Sequence, residues 1–223
     1  MPIRKTLLLL LAIVFVLAAC SGEGTVEEIH TQLEETVELE EEFENQQSEI
    51  TALEAQEQEI YAQIIELGMD DFEEITSLSE EAITVIEKRE EKLNLERESI
   101  MNANEAFVSI ESLIEDLEEE EVKAKAEEMY RVMVERYATY DELFEVYTTS
   151  IGLEKELYEM LQQEELEQEV LNEQIESINA SYESILQIND QFNEHTSAYN
   201  NLKQEFYEAA DINVTLNDNT DAS

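Results

Sequence analysis

Cysteine occurs once in this 223-residue chain, at Cys20, so no intramolecular disulfide can staple the fold. Proline also occurs once, at Pro2, glycine four times and tryptophan never. A sheet protein of this length needs many more turn-forming residues, which leaves long helices as the fold class. Basic residues are scarce as well, with 12 Lys and Arg against 57 Asp and Glu. Nucleic acids and anionic headgroups are recognised through basic patches, so nucleic-acid binding is excluded. High acidity with little apolar content would suggest disorder, yet 43% of the residues are hydrophobic and recur periodically, so the chain can build a core.

The cysteine that is present sits in an informative place. Arg4 and Lys5 precede an eleven-residue apolar run, Leu7 to Leu17, which ends in Leu17-Ala18-Ala19-Cys20. A positive start, a short apolar run and small residues before a cleavage point make a signal peptide, and the run is too short to span a bilayer, which takes about 20 residues. Cysteine is the side chain that can carry a diacylglyceryl thioether, and two acyl chains anchor stably. The expectation is a signal peptide over residues 1–19, lipidation at Cys20, and a protein held at the outer face of the cytoplasmic membrane. Residues 20–25 read as the lipidated cysteine and a flexible tether. Loss of residues 1–19 leaves ten basic residues against 57 acids, a charge of −47.

Beyond the tether the apolar positions fall on a spacing of three and four. Phe43, Ile50, Glu57 and Ile64 alternate with Gln46, Leu53, Ile60 and Leu67, a stripe that polar Gln46 and Glu57 interrupt. This first helix should stop at Gly68, and the next should start at Asp70 with Glu73 completing a capping box. Phe72 through Leu117 continue the pattern until Glu118 to Glu121, four acids that suit a solvated turn. Tyr130, Tyr137, Phe144, Ile151 and Tyr158 recur every seven residues, with Met133, Tyr140, Tyr147 and Leu161 on the partner position. Leu171, Ile178, Ile185, Phe192, Tyr199 and Phe206 repeat the device. A turn near Gln163, with Gly152 inside a helix, gives four matched lengths of about 42 to 47 residues, which suits an elongated antiparallel up-and-down four-helix bundle with coiled-coil-like heptad packing. Such a bundle, residues 26–212, would be about 65 Å long, with a disordered tail at 213–223.

Catalytic and metal chemistry find few parts. A di-metal carboxylate site in a bundle needs two Glu-x-x-His motifs; Glu27-x-x-His30 is one, while His195 has Phe192 where the acid should stand. His195 lies seven residues from Ile188 and Leu202, as a partly buried seam histidine would. Neither histidine neighbours a Ser-Asp constellation. The reading is no enzyme, no catalytic residue, no metal and no cofactor. The aromatic stripe of the third helix reads as core, with Arg131 and Arg136 pairing with nearby acids; a stacking platform for wall sugars is the alternative. From Val26 to Leu67 there is no lysine or arginine, whereas Lys88, Arg89, Lys92 and Arg97 crowd the second helix and Lys123, Lys125, Arg131 and Arg136 the third. The acidic first helix should therefore lie against one or both.

The run ERYATYDELFEVYTTSIGLEKELYEML from Glu135 to Leu161, the run YNNLKQEFYEAADINV from Tyr199 to Val214, and the lipidation motif resemble the YkyA-like cell-wall-binding lipoproteins of Gram-positive bacteria. The resemblance implies an all-helical fold in which the third helix gives way to the fourth near Gln163. Wall binding is itself an inference about that family and carries no catalytic residues. Members tend to be lysine-rich, so the Glu-rich composition of this chain argues against direct ionic attraction to anionic wall polymers. The expected function is a non-enzymatic, membrane-anchored surface lipoprotein that engages peptidoglycan or wall polymer. The alternative is a protein-interaction scaffold or chaperone-like module, a homo-oligomeric coiled coil included, with Gln46 and Glu57 marking a helix that packs on a partner.

Overall fold

The computed structural model describes residues 21–67 and 71–212. Those residues contain helices and no strand. Six helical segments, α1 (Ser21–Leu39), α2 (Glu41–Glu66), α3 (Phe72–Val108), α4 (Ile110–Glu115), α5 (Glu120–Leu161) and α6 (Gln168–Ala209), make four long helices, because α1 with α2 and α3 with α4 are near-continuous pairs. Cys20, the Gly68 and Asp70 turn residues and the 213–223 tail lie outside the described residues. The helix after that turn has Asp71 as its N-cap residue, one position beyond Asp70. The turns after the second and third long helices fall at 116–119 and 162–167, and Gly152 lies inside α5.

Glu120 and Glu121, expected in the turn, instead open α5, and the N-terminal boundary also differs from the sequence reading. α1 already begins at Ser21, so the segment expected to be a flexible tether is helical. Val26, Ile29 and Leu33 pack that helix into the core, and extending a nucleated helix backwards needs only one further backbone bond per residue. Gly24 faces open space, where it crowds nothing.

The first long helix is interrupted at Glu40, and the cause is a side chain of the second. Ser99 of α3 donates its hydroxyl to the Leu39 carbonyl at 2.6 Å and accepts the Phe43 N–H at 3.1 Å. An α-helix would join those two backbone groups to each other. A hydroxyl inserted between them opens the ladder while satisfying both ends.

Two apolar cores result. One gathers Ile29, Leu33 and Phe43 with Phe107, Met129, Tyr137 and Tyr140 and with Phe192, Tyr199 and Phe206 of α6. The other joins Ile50, Ile60 and Ile64 of α2 to Val85, Ile86 and Leu93 of α3 and Ile151 and Tyr158 of α5. The second core takes no residue from α6. That asymmetry positions the site: the first half of α6 lies over the second core without entering it. The acidic first helix meets the basic residues as its composition requires, through Arg89–Glu57, Lys92–Glu49 and Arg136–Glu40. No helix among the described residues is long and apolar enough to cross a membrane.

Candidate functional site

Three charged residues occupy interior positions of the second core. Glu57 falls on the stripe 43, 50, 57, 64 of the first helix, Arg89 seven residues after buried Ala82, and Glu154 seven after Tyr147. Heptad spacing points each side chain inward, and all three are buried, Arg89 at 3% exposure. A lone buried guanidinium would be prohibitively desolvated, so the fold brackets it with carboxylates from two different helices. Arg89 Nη1 lies 2.8 Å from Glu57, and Nη2 donates to Glu154. Ser150 donates to the other oxygen of Glu154 at 2.9 Å, and the Tyr147 ring lies 5.7 Å from the guanidinium. The Tyr147 hydroxyl donates in turn to Glu54.

This cluster forms the floor of a cavity of about 670 Å³ between α2 and the first half of α6. One wall is polar, with Thr51, Glu54, Gln58 and Tyr61 of α2; the facing wall is Ile175, Ile178, Tyr182, Ile185 and Leu186 of α6. Tyr147 and Tyr158 of α5 close the base. Leu186, at 65% exposure, stands at the rim.

The electrostatics of the floor are unbalanced. Three carboxylates, Glu54, Glu57 and Glu154, face a single guanidinium. Burial raises the pKa of Glu57 although Arg89 opposes the shift. Burial likewise pushes the Tyr147 and Tyr158 hydroxyls far up, with Glu54 and Glu57 adding to the effect, so both remain neutral donors. Arg89 Nε has no hydrogen-bond partner, and Glu57 Oε2 meets Arg89 at ion-pair distance without hydrogen-bond alignment. By contrast, Arg136 is fully engaged: it grips both oxygens of Glu40 at 2.8 and 2.9 Å, donates through Nε to Thr196 at 2.9 Å and lies 4.6 Å over the Phe192 ring. Tyr137 completes that second cluster by donating to Glu40 at 2.9 Å. One cluster is closed and structural; the other keeps unused polar capacity beside a void.

The residues singled out in the sequence separate. Tyr140 is core: it is buried and donates to Glu96 at 3.0 Å. Tyr147 packs against the second core and also lines the cavity. Arg131 pairs with Glu135 at 2.8 Å, and His195 is partly buried with Nδ1 4.0 Å from Glu135. His30 stands against the Tyr207 ring at 5.2 Å, beside a separate cavity of about 690 Å³ bounded by Val26, Glu27, Leu117 and Ile212. Among the described residues no cluster of histidine, cysteine or acids is arranged to hold a metal ion. Gln46 and Glu57, read as marks of a partner-binding helix, are buried within the chain itself, Gln46 donating to Glu42 and Glu57 meeting Arg89. Arg89 and Glu154 are not among the site candidates that the sequence offers. Their signal is a charge at a heptad position, visible once the stripe is counted through its polar members.

Chemically the cavity can hold a ligand by ring faces, neutral hydroxyl donors and excess carboxylate. Ser150 donates its hydroxyl to one oxygen of Glu154 while Arg89 donates to the other.

Fold and site define an all-helical protein with a charged, laterally open cavity. The chain belongs to the YkyA family, described as "Putative cell-wall binding lipoprotein", which matches residues 24–209. It is 34% identical over 203 residues, 91% of each chain, to the "Uncharacterized lipoprotein YkyA" of Bacillus subtilis (strain 168). Its fold is similar to a crystal structure of a conserved protein of unknown function from Staphylococcus aureus, with a TM-score of 0.64 at 14% identity, covering 81% of this chain and 91% of the other. That likeness concerns the fold alone.

Proposed function

We propose that this protein is a non-enzymatic lipoprotein of the cell surface that binds the cell wall. The observation that carries this reading is the family match across residues 24–209, nearly the whole helical part. In this reading residues 1–19 are the signal peptide, Cys20 carries the lipid, and residues 26–212 form one up-and-down antiparallel bundle with heptad-like packing. The order of contacts supports that arrangement. Rising along the first helix, Glu40 and Glu54 meet Arg136 and Tyr147 of α5, Glu49 and Glu57 meet Lys92 and Arg89 of α3, and Glu34 and Phe43 meet Tyr207 and Phe192 of α6, so partners in α5 ascend while those in α3 and α6 descend. The cavity supplies a binding surface.

The test is sedimentation of the lipid-free chain with purified walls, with and without divalent cations and across salt. Retention above an albumin control supports wall binding; full recovery in the supernatant under every condition refutes it. A protein-interaction scaffold is the second reading, and Ile65 and Leu186, at 64% and 65% exposure, are the apolar side chains it would cover. Light scattering showing a stable dimer, with no wall retention, would select it.

A further inference from the structure

Buried excess charge beside a void suggests what the void receives. Three carboxylates and one guanidinium leave the cavity floor negative, in surroundings too apolar for cheap ionisation. A structural ion pair would be closed, as Arg136–Glu40 is, yet Arg89 Nε stays unpartnered at the cavity floor, a donor left for an oxygen on the body that carries the cation. The opposite wall is aliphatic, and four tyrosines, Tyr61, Tyr147, Tyr158 and Tyr182, offer ring faces and hydroxyls. Carboxylates beneath aromatic rings select cations, and the aliphatic wall selects an uncharged body attached to the cation.

We infer that this cavity binds a protonated primary amine carried on a sugar or short aliphatic body, with Glu54 and Glu57 facing the ammonium and Tyr182, Ile185 and Leu186 covering the body. The inference rests on the wall-binding reading for the source of the amine: an amino sugar of the glycan or a diamino acid of its peptide. It also accounts for wall binding by an acidic chain, because the ligand group is cationic where wall polymers are anionic. The remaining groups facing the ammonium are Arg89 of α3 and Glu154, Tyr147 and Tyr158 of α5.

Calorimetric titration of the full-length protein in detergent with tetrameric glucosamine and with alanyl-lysine tests the inference, each beside its N-acetylated form. Binding by either amine, at least about tenfold tighter than by its acetylated form, is expected, and which amine binds identifies the source. Equal affinity for the acetylated forms, or no binding by either amine, overturns it. Two variants locate the site. Leu186→Lys places a cation at the exposed rim without touching the core, and Glu54→Gln removes one charge while keeping an acceptor for Tyr147. Each should weaken amine binding by about tenfold or more with helicity and melting temperature retained, and unchanged affinity in both overturns the assignment. Wall retention separates the two readings. If walls hold the protein and no amine binds, this inference fails alone; if the amine binds and walls do not hold the protein, wall binding fails alone.

Discussion

Glu96 sits at 5% exposure beside Tyr140 and Tyr147 of α5 and Glu54 of α2, and burial first, with Glu54 adding, pushes its carboxyl up to about 7 against the Tyr140 hydrogen bond. A folded-state pKa above the ordinary carboxyl value means that the fold favours the protonated form. This contribution is therefore fully present below about pH 4.5 and is lost as pH rises towards 7, by something on the order of 3 kcal/mol. Glu96→Gln keeps an acceptor for Tyr140 and removes the titration, so urea unfolding should show the variant more stable than the parent at pH 8 and close to it at pH 5. A gap that does not change with pH would contradict this account. Arg89→Ala strands Glu57 and Glu154 in the second core and should cost about 3–5 kcal/mol by the same measurement, part of it recovered in acid as the carboxylates protonate. The interior placement of these charges was legible by counting sevens. Their pairing was not, because Arg89 and Glu154 stand 65 residues apart and nothing local specifies which helices face each other.

At the scale of the element, the long helices were readable because apolar spacing, scarce glycine and the near-absence of proline are local properties. The turn at 162–167 contains no glycine or proline, and it is placed by where one apolar stripe ends and the next begins. Gly152 lies in α5 with nothing within 4 Å of an added Cβ and without a positive φ, so Gly152→Ala should raise stability by about 1 kcal/mol in urea titration. The break at Glu40 could not be read, since it depends on a serine 60 residues from the carbonyl it meets. Ser99→Ala withdraws the inserted hydroxyl while Arg136 still holds Glu40 and the neighbours of Phe43 still hold its ring. The Leu39 carbonyl and Phe43 amide are then left unsatisfied, at a cost of about 1–3 kcal/mol and with faster hydrogen exchange at Phe43. Unchanged stability together with stronger protection would mean that the helix simply closes its ladder.

For the whole molecule, 57 acids against 12 basic residues make self-repulsion the dominant long-range term. Screening should relieve it: raising sodium chloride from roughly 50 mM to 1 M should raise the melting temperature, whereas loss of the surface pairs alone would lower it. The aromatic stripe gives a test that separates core from surface. Tyr140→Ala should cost about 3–5 kcal/mol, as removal of a buried ring does, because this side chain is 1% exposed between Phe43 and Phe192. A loss of wall retention with stability intact would instead make it a binding platform.

The sequence by itself determined that the chain is helical, where its long helices run, which faces they bury, and that the acidic first helix should lie against the basic second helix, the third, or both. Each of these follows from residues near one another or from total charge. Only the tertiary structure decided that Ser99 opens the first helix, that Arg89 is shared between Glu57 and Glu154, and that the first half of α6 stands off to leave a cavity. Those features depend on distances between helices that the chain visits far apart, and periodicity places a side chain on a face without saying what lies opposite.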